Sequence, residues 1–176
     1  MSSKLKRRFG MVTFCFFILA VLMGIGAWDA FAKDKIVIGG TVAQSGRFAS
    51  DVKPWPELMR AWADMVNENG GIMVKSLNKK LPVEFVIYDD KSDPSTVVKF
   101  YQRLITVDKA DILIGPYTSP LTFPATAVAN KYGVPMVCAE ATASAIYKRG
   151  FKWIVGVDQP APLWSLNYFD LIQNRT

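Results

Sequence analysis

The side chains with chemistry to offer in this 176-residue chain sit where apolar runs end. In DILIGPYTSPL, residues 111–121, an apolar run stops at Gly115-Pro116, and Thr118 and Ser119 follow before Pro120. Serine followed by proline fits a helix N-cap with Pro at the first helical position. The Ser119 hydroxyl can cap its own helix. Together with the unpaired N–H groups of a helix start, it can also bind a carboxylate. Thr142, in AEATAS, places another hydroxyl at a second helix start, with Glu140 just before it. Two such helix starts after successive strands converge on one crevice, which says more than either alone.

Other candidates are weaker. Asp89-Asp90 could hold a metal or form an acid–base pair, but neighbours at a strand end point to opposite sides, so a turn or cap is expected. Phe48, in the first long loop, is placed to stack on a ligand, whereas the tryptophans and tyrosines on helices read as core. The chain has no histidine, which removes His-based triads and most zinc sites. Neither G-x-G-x-x-G, G-x-S-x-G nor a G-K-[ST] phosphate loop occurs. No catalytic residue, cofactor site or metal site is assigned.

The elements that must position these residues alternate strand and helix. Apolar strands are expected at 35–41, 81–90, 111–115, 134–139 and 151–157. Between the first two, Trp55, Leu58, Met59, Trp62 and Val66 are expected on one buried helical face, closed by Asn69-Gly70-Gly71. Asp93-Pro94 starts the next helix, with Val97, Tyr101, Leu104 and Ile105 as its buried stripe. A third runs from about Ser119 to Tyr132 and stops at Gly133. A short helix in ATASAIYKRG precedes the last strand. Repeated strand–helix units require parallel pairing, so the fold class is α/β, a doubly wound parallel sheet. Ligands bind such sheets beyond the carboxyl ends of the strands, where loops 43–53, 89–93, 116–119 and 140–144 gather.

The first residues read differently. Lys4, Lys6, Arg7 and Arg8 precede an apolar run from Met11 to about Trp28, and Ala30-Phe31-Ala32 offers a small-x-small cleavage pattern. This is a signal peptide over residues 1–32. A retained membrane anchor is the alternative. From Lys33 on there are 17 basic and 14 acidic residues, a net +3 against +6 for the whole chain. No basic stripe interleaved with aromatics remains, so no nucleic-acid partner is expected. Cys15 falls in the apolar run, and Cys138, alone after it, is expected as a small buried thiol.

IGGTVAQSGRFAS (38–50), NENGGI (67–72), VIYDDKSDP (86–94), LIGPYTSPLT (113–122), ANKYGVPMV (129–137) and ATAS (141–144) occur in that order. This set resembles the periplasmic receptors of branched-chain amino acid ABC importers, the type I leucine/isoleucine/valine-binding family, over residues 35–157. The resemblance implies a two-lobed clamshell that closes on an amino acid or similar small polar solute and presents it to a membrane permease. It implies no catalysis, a periplasmic location and a monomer. It gives residues 33–158 as the N-terminal lobe, and 159–176 as a hinge segment and the first helix of a second lobe. The ligand contacts it implies are Ser119, Glu140 and Thr142, beside Thr118. Family members usually have a small residue at the position of Glu140. A carboxylate there strengthens cation binding, turns to solvent, or repels an anionic ligand. Because relatives are far longer, this chain is expected to bind weakly or not at all alone. Rival readings are an enzyme on the same sheet, a ligand-sensing domain and a non-functional gene fragment.

Overall fold

A computed structural model describes residues 33–173. The signal-peptide or anchor segment, 1–32, with Cys15, lies outside the described residues, as do 174–176. The compact unit begins at Lys35.

Five parallel strands form the main sheet. They are β1 (Ile36–Val42), β4 (Val83–Asp89), β5 (Ile112–Ile114), β6 (Met136–Cys138) and β7 (Ile154–Gly156), in the order β4-β1-β5-β6-β7. The first connection carries α1 (Trp55–Glu68) and a small antiparallel hairpin of β2 (Ile72–Val74) and β3 (Lys79–Leu81). Next come α2 (Pro94–Thr106), α3 (Ser119–Tyr132), α4 (Ser144–Tyr147) and, after β7, α5 (Leu166–Gln173). The hairpin is not foreseen in the sequence. The hairpin ends at Leu81, and Pro82 separates it from β4, so the expected strand 81–90 is observed over Val83–Asp89.

The sheet's two faces are unequally covered. Val37, Leu113, Met136 and Cys138 pack under Val97, Tyr101 and Leu104 of α2 and Leu121, Ala125 and Ala129 of α3. Cys138 is buried as expected, and burial pushes its thiol up to about 12. The alternate residues of β5, β6 and β7, Ile112, Ile114, Val137 and Val155, therefore face the other way, the side on which α1 packs. But α1 lies over β4, and toward β7 that face opens to solvent.

This corrects the expected stripe on α1. Ala63 is buried, Trp55, Met59 and Val66 are half-buried beside it, and Leu58 and Trp62 are exposed. The apolar residues of α1 form two adjacent stripes, and the sheet is wide enough to cover one. Trp62 still meets Phe85 of β4 edge-on at 5.8 Å. The helix end is fastened by Asn67, whose amide donates to the Val83 carbonyl and accepts from the Val83 N–H at 2.9 and 2.7 Å.

Capping chemistry sets the helix boundaries. The Asp93 carboxylate accepts from the Thr96 N–H at 2.7 Å and from the Ser95 hydroxyl at 2.6 Å. Those bonds, the Ser95 hydroxyl first, lower its pKa from 3.8 to about 2. A lowered carboxylate pKa stabilises the fold above pH 3.8, and that contribution disappears as pH falls toward 2. Asp93→Asn should lower stability at neutral pH and flatten the acid-side decline of the urea midpoint between those pH values. An unchanged decline would rule out this cap as its source.

Candidate functional site

The carboxyl ends of β1, β5 and β6 bring three loops to one edge, beside the point where the chain's winding reverses between β4 and β5 around β1. The loop after β5 is pinned from below. Fully buried Tyr101 donates its hydroxyl to the Ile114 carbonyl at 2.5 Å, and the buried Thr122 hydroxyl donates to the Pro116 carbonyl at 2.9 Å.

Ser119 proves to be the first residue of α3 rather than its cap. Thr118 holds the cap position with φ 72 and ψ 151, and its side chain caps nothing. In that conformation the side chain is turned away from the helix's first N–H groups. Its hydroxyl oxygen is buried without a hydrogen-bond partner. Positive φ with extended ψ is a region almost reserved for glycine, so a threonine here stores strain. The Ser119 hydroxyl is thereby released from capping. It accepts from the Ala143 N–H at 3.1 Å, joining the loop after β5 to the loop after β6.

Thr142 lies beside that bond. Ala143, not Thr142, occupies the cap position of α4. The Thr142 carbonyl accepts from the Ala161 N–H at 3.0 Å, and its hydroxyl makes no hydrogen bond among the described residues. Glu140 is exposed at the end of β6. The structure thus brings Thr118, Ser119, Glu140 and Thr142 to neighbouring loops.

An aromatic cluster not foreseen in the sequence adjoins the loop after β5 through Tyr117. Tyr117 meets Phe48 and Trp55 edge-on, at 5.5 and 5.7 Å between ring centres. Phe48 is therefore engaged by Tyr117, and the Arg47 guanidinium lies 4.4 Å from its ring centre. Burial first, then the charges of Asp51 and Glu140, raise the Tyr117 pKa. Tyr117 directly precedes Thr118, so an aromatic followed by two hydroxyls at a strand end was the available signal.

The first loop is shaped by a polar latch. Asp90 is fully buried, accepting from the Thr41 hydroxyl at 2.7 Å and the Ser92 N–H at 2.9 Å. Burial raises its pKa, with the bonds from Thr41 and Ser92 opposing and the charges of Asp89 and Asp93 adding to the rise. Asp89 points the other way and accepts from the Ser45 hydroxyl at 2.7 Å and from the Ser45 and Lys91 N–H groups at 3.1 and 2.9 Å. Burial alone would raise Asp89, but these bonds outweigh it and its pKa falls. The acidic pair is thus split to opposite sides, as expected. Gly46, at φ 86, packs against the Lys91 carbonyl, which leaves no space for a Cβ. No group of three or more His, Cys, Asp or Glu able to hold a metal occurs among the described residues.

This geometry has known counterparts. Residues 35–162 match the sequence profile of a family described as periplasmic binding protein. A leucine-, isoleucine-, valine-, threonine- and alanine-binding protein of Pseudomonas aeruginosa is 32% identical over 124 residues, covering 66% of this chain and 31% of its own length. A leucine-specific-binding protein of Salmonella typhimurium is 27% identical over 136 residues, covering 70% of this chain and 37% of its own. Among solved structures, the branched-chain amino acid transporter substrate binding protein LivJ of Streptococcus pneumoniae, in complex with isoleucine, superposes with a TM-score of 0.63 at 29% identity. That match covers 71% of this chain and 34% of LivJ. A solute binding protein of an ABC transporter from Rhodopseudomonas palustris, in complex with 3,4-dihydroxybenzoic acid, shares the fold at 23% identity and a TM-score of 0.66, covering 81% of this chain and 37% of its own. The chain spans about a third of the length of the curated relatives it matches.

The strain at Thr118 is testable without a ligand. Thr118→Gly should raise unfolding stability by about 1 kcal/mol, the relief of an unfavourable φ less the entropy of a freer chain. A urea midpoint that stays put or falls would show that Thr118 is at ease there.

Proposed function

This chain belongs to the periplasmic binding protein family, and from that footing we propose that it serves as the solute-binding receptor of an ABC importer for amino acids or similar small polar solutes. The observation that carries this reading is the Ser119–Ala143 bond, which puts an anion-compatible hydroxyl and backbone N–H side by side at two loop ends. The N–H groups at the start of α3 precede its first backbone bond, from the Thr122 N–H to the Thr118 carbonyl, and add positive potential there. A carboxylate arriving at Ser119 takes over donors the loops already present. Thr142 supplies a further hydroxyl, and Thr118 holds the backbone turn.

Glu140 fits the other end of such a ligand. An amino acid with its carboxylate at Ser119 can direct its ammonium toward the Glu140 side, where a carboxylate attracts it. The aromatic cluster of Tyr117, Phe48 and Trp55 then supplies apolar surface. The binding groups described lie on one side of the crevice only. A pocket normally encloses most of its ligand, so this chain alone binds weakly, and full affinity needs a second lobe closing over the first. The loaded receptor's partner is a membrane permease. No chemistry on the ligand is proposed.

Amide chemical shifts read weak binding directly. Leucine titrated into the 15N-labelled chain should move the amides of Ser119, Thr142 and Ala143, with a dissociation constant of order 1 mM. Ser119→Ala and Thr142→Ala should each weaken that binding several-fold. Unmoved amides at saturating leucine would overturn the reading. For export, the intact mass of the secreted product should correspond to a chain beginning at Lys33. A mass that retains residues 1–32 would establish an anchor instead.

A further inference from the structure

Helix α3 has a weak place near its start. Pro124 lies inside it and has no N–H to give the Pro120 carbonyl, so the turn that carries Ser119 lacks one rung. Beside that gap the Phe123 carbonyl accepts from two side chains. The Thr126 hydroxyl donates to it at 2.8 Å, and Nη1 of Arg149 donates at 2.7 Å. The same Arg149 nitrogen also donates to the Thr126 hydroxyl oxygen at 3.0 Å. The guanidinium packs over two rings, its carbon 4.2 Å from the centre of Phe123 and 4.2 Å from that of Phe151. A planar cation with several donors suits this position, whereas a lysine ammonium would use only part of it.

Arg149 closes a segment that begins at the crevice. The Tyr147 hydroxyl donates back to the Ala141 carbonyl at 2.5 Å. The N–H groups of Ile146 and Lys148 donate to the Ala143 and Ser144 carbonyls at 3.0 and 3.1 Å, and Ala141 and Ile146 are buried. Residues 141–149 are thus bonded into one piece. Ser119 grips that piece at Ala143, and Arg149 grips α3 at Phe123 and Thr126. Ser119 and Phe123 are four residues apart, one helical turn, so the two fastenings act in parallel on the same pair of elements.

We infer that Arg149 is a positioning residue for the crevice: it holds residues 141–149 against α3, so that the gap between Ser119 and Ala143 keeps its width when a ligand displaces their bond. This rests on the binding role proposed above for those two residues. A carboxylate entering there breaks a bond that joins the two loops. With no second fastening, re-ordering the released loop would oppose binding. With Arg149 in place the loop is ordered beforehand, and the Ala143 N–H stays aimed at the ligand. The Ala161 N–H, bonded to the Thr142 carbonyl at 3.0 Å, ties the same segment without involving α3.

Parallel fastenings have a signature that independent ones lack. Arg149→Met removes the donors and keeps an apolar stem over the rings. Hydrogen exchange at the Ile146 and Lys148 amides should quicken little in Ser119→Ala or in Arg149→Met, since the other tie remains. In the double variant it should quicken about tenfold beyond the product of the two single effects. Leucine titrated into the 15N-labelled Arg149→Met chain should show a dissociation constant about fivefold above the parent's. Arg149→Lys, which keeps a charged donor for the Phe123 carbonyl, should fall between the two, and it serves in both experiments if the methionine variant does not fold. Exchange effects that simply multiply overturn the inference, because Ala161 and buried Ile146 then hold the segment unaided. So does a leucine affinity that the Arg149 variants leave unchanged. A parent chain that binds no leucine overturns the receptor reading instead, and the exchange cycle, which needs no ligand, still decides whether Arg149 braces the loop.

Discussion

Parallel strands cannot be joined by tight turns, and everything functional in this molecule follows from that constraint. Each connection must climb back across a face of the sheet, so every strand delivers its outgoing loop to the same edge. Placing β1 between β4 and β5 splits the connections to opposite sides and opens a crevice between them. The loops after β1, β5 and β6 then need only local devices to become a site. Those devices are few and specific: Tyr101 and Thr122 hold carbonyls at residues 114 and 116, and Asp90 clasps the end of β1 through Thr41.

The buried carboxylate of Asp90 shows how the edge is kept in shape at some expense to stability. A charge without solvent is unfavourable, and two hydrogen bonds offset only part of this. In exchange, Ser92 is fixed so that its hydroxyl donates to the Ser45 carbonyl and accepts from the Phe48 N–H, both at 3.1 Å. That orders a loop with little core of its own and sets Phe48 against Tyr117. Thr118 is strained for a comparable purpose. By occupying the cap position without capping, it leaves Ser119 free to reach across to Ala143.

Much of the fold was legible in the sequence because it is written in local patterns. The apolar runs gave the five parallel strands, and Asp93-Pro94 and Gly133 marked helix ends that the structure keeps. The hairpin at 72–81 was not legible, since strands of three residues carrying Lys79 and Lys80 show no usable alternation. The stripe on α1 was misread because periodicity cannot tell how wide a sheet lies beneath it. Thr118, Ser119, Glu140 and Thr142 could be nominated from position. The bond from Ser119 to a residue 24 positions away, and that from Thr41 to one 49 away, are products of tertiary folding that spacing does not encode.

The Ser119–Ala143 bond makes the crevice a seat already taken by the protein itself. A newcomer must evict the serine oxygen before it can use that N–H, so it gains only the difference between two similar bonds. A neutral guest offering one more hydroxyl therefore profits little, whereas a full negative charge profits clearly. On the binding role proposed above, this bond disfavours neutral occupants such as sugars. On that role, discrimination would begin with the sign of the charge that a ligand brings to Ser119.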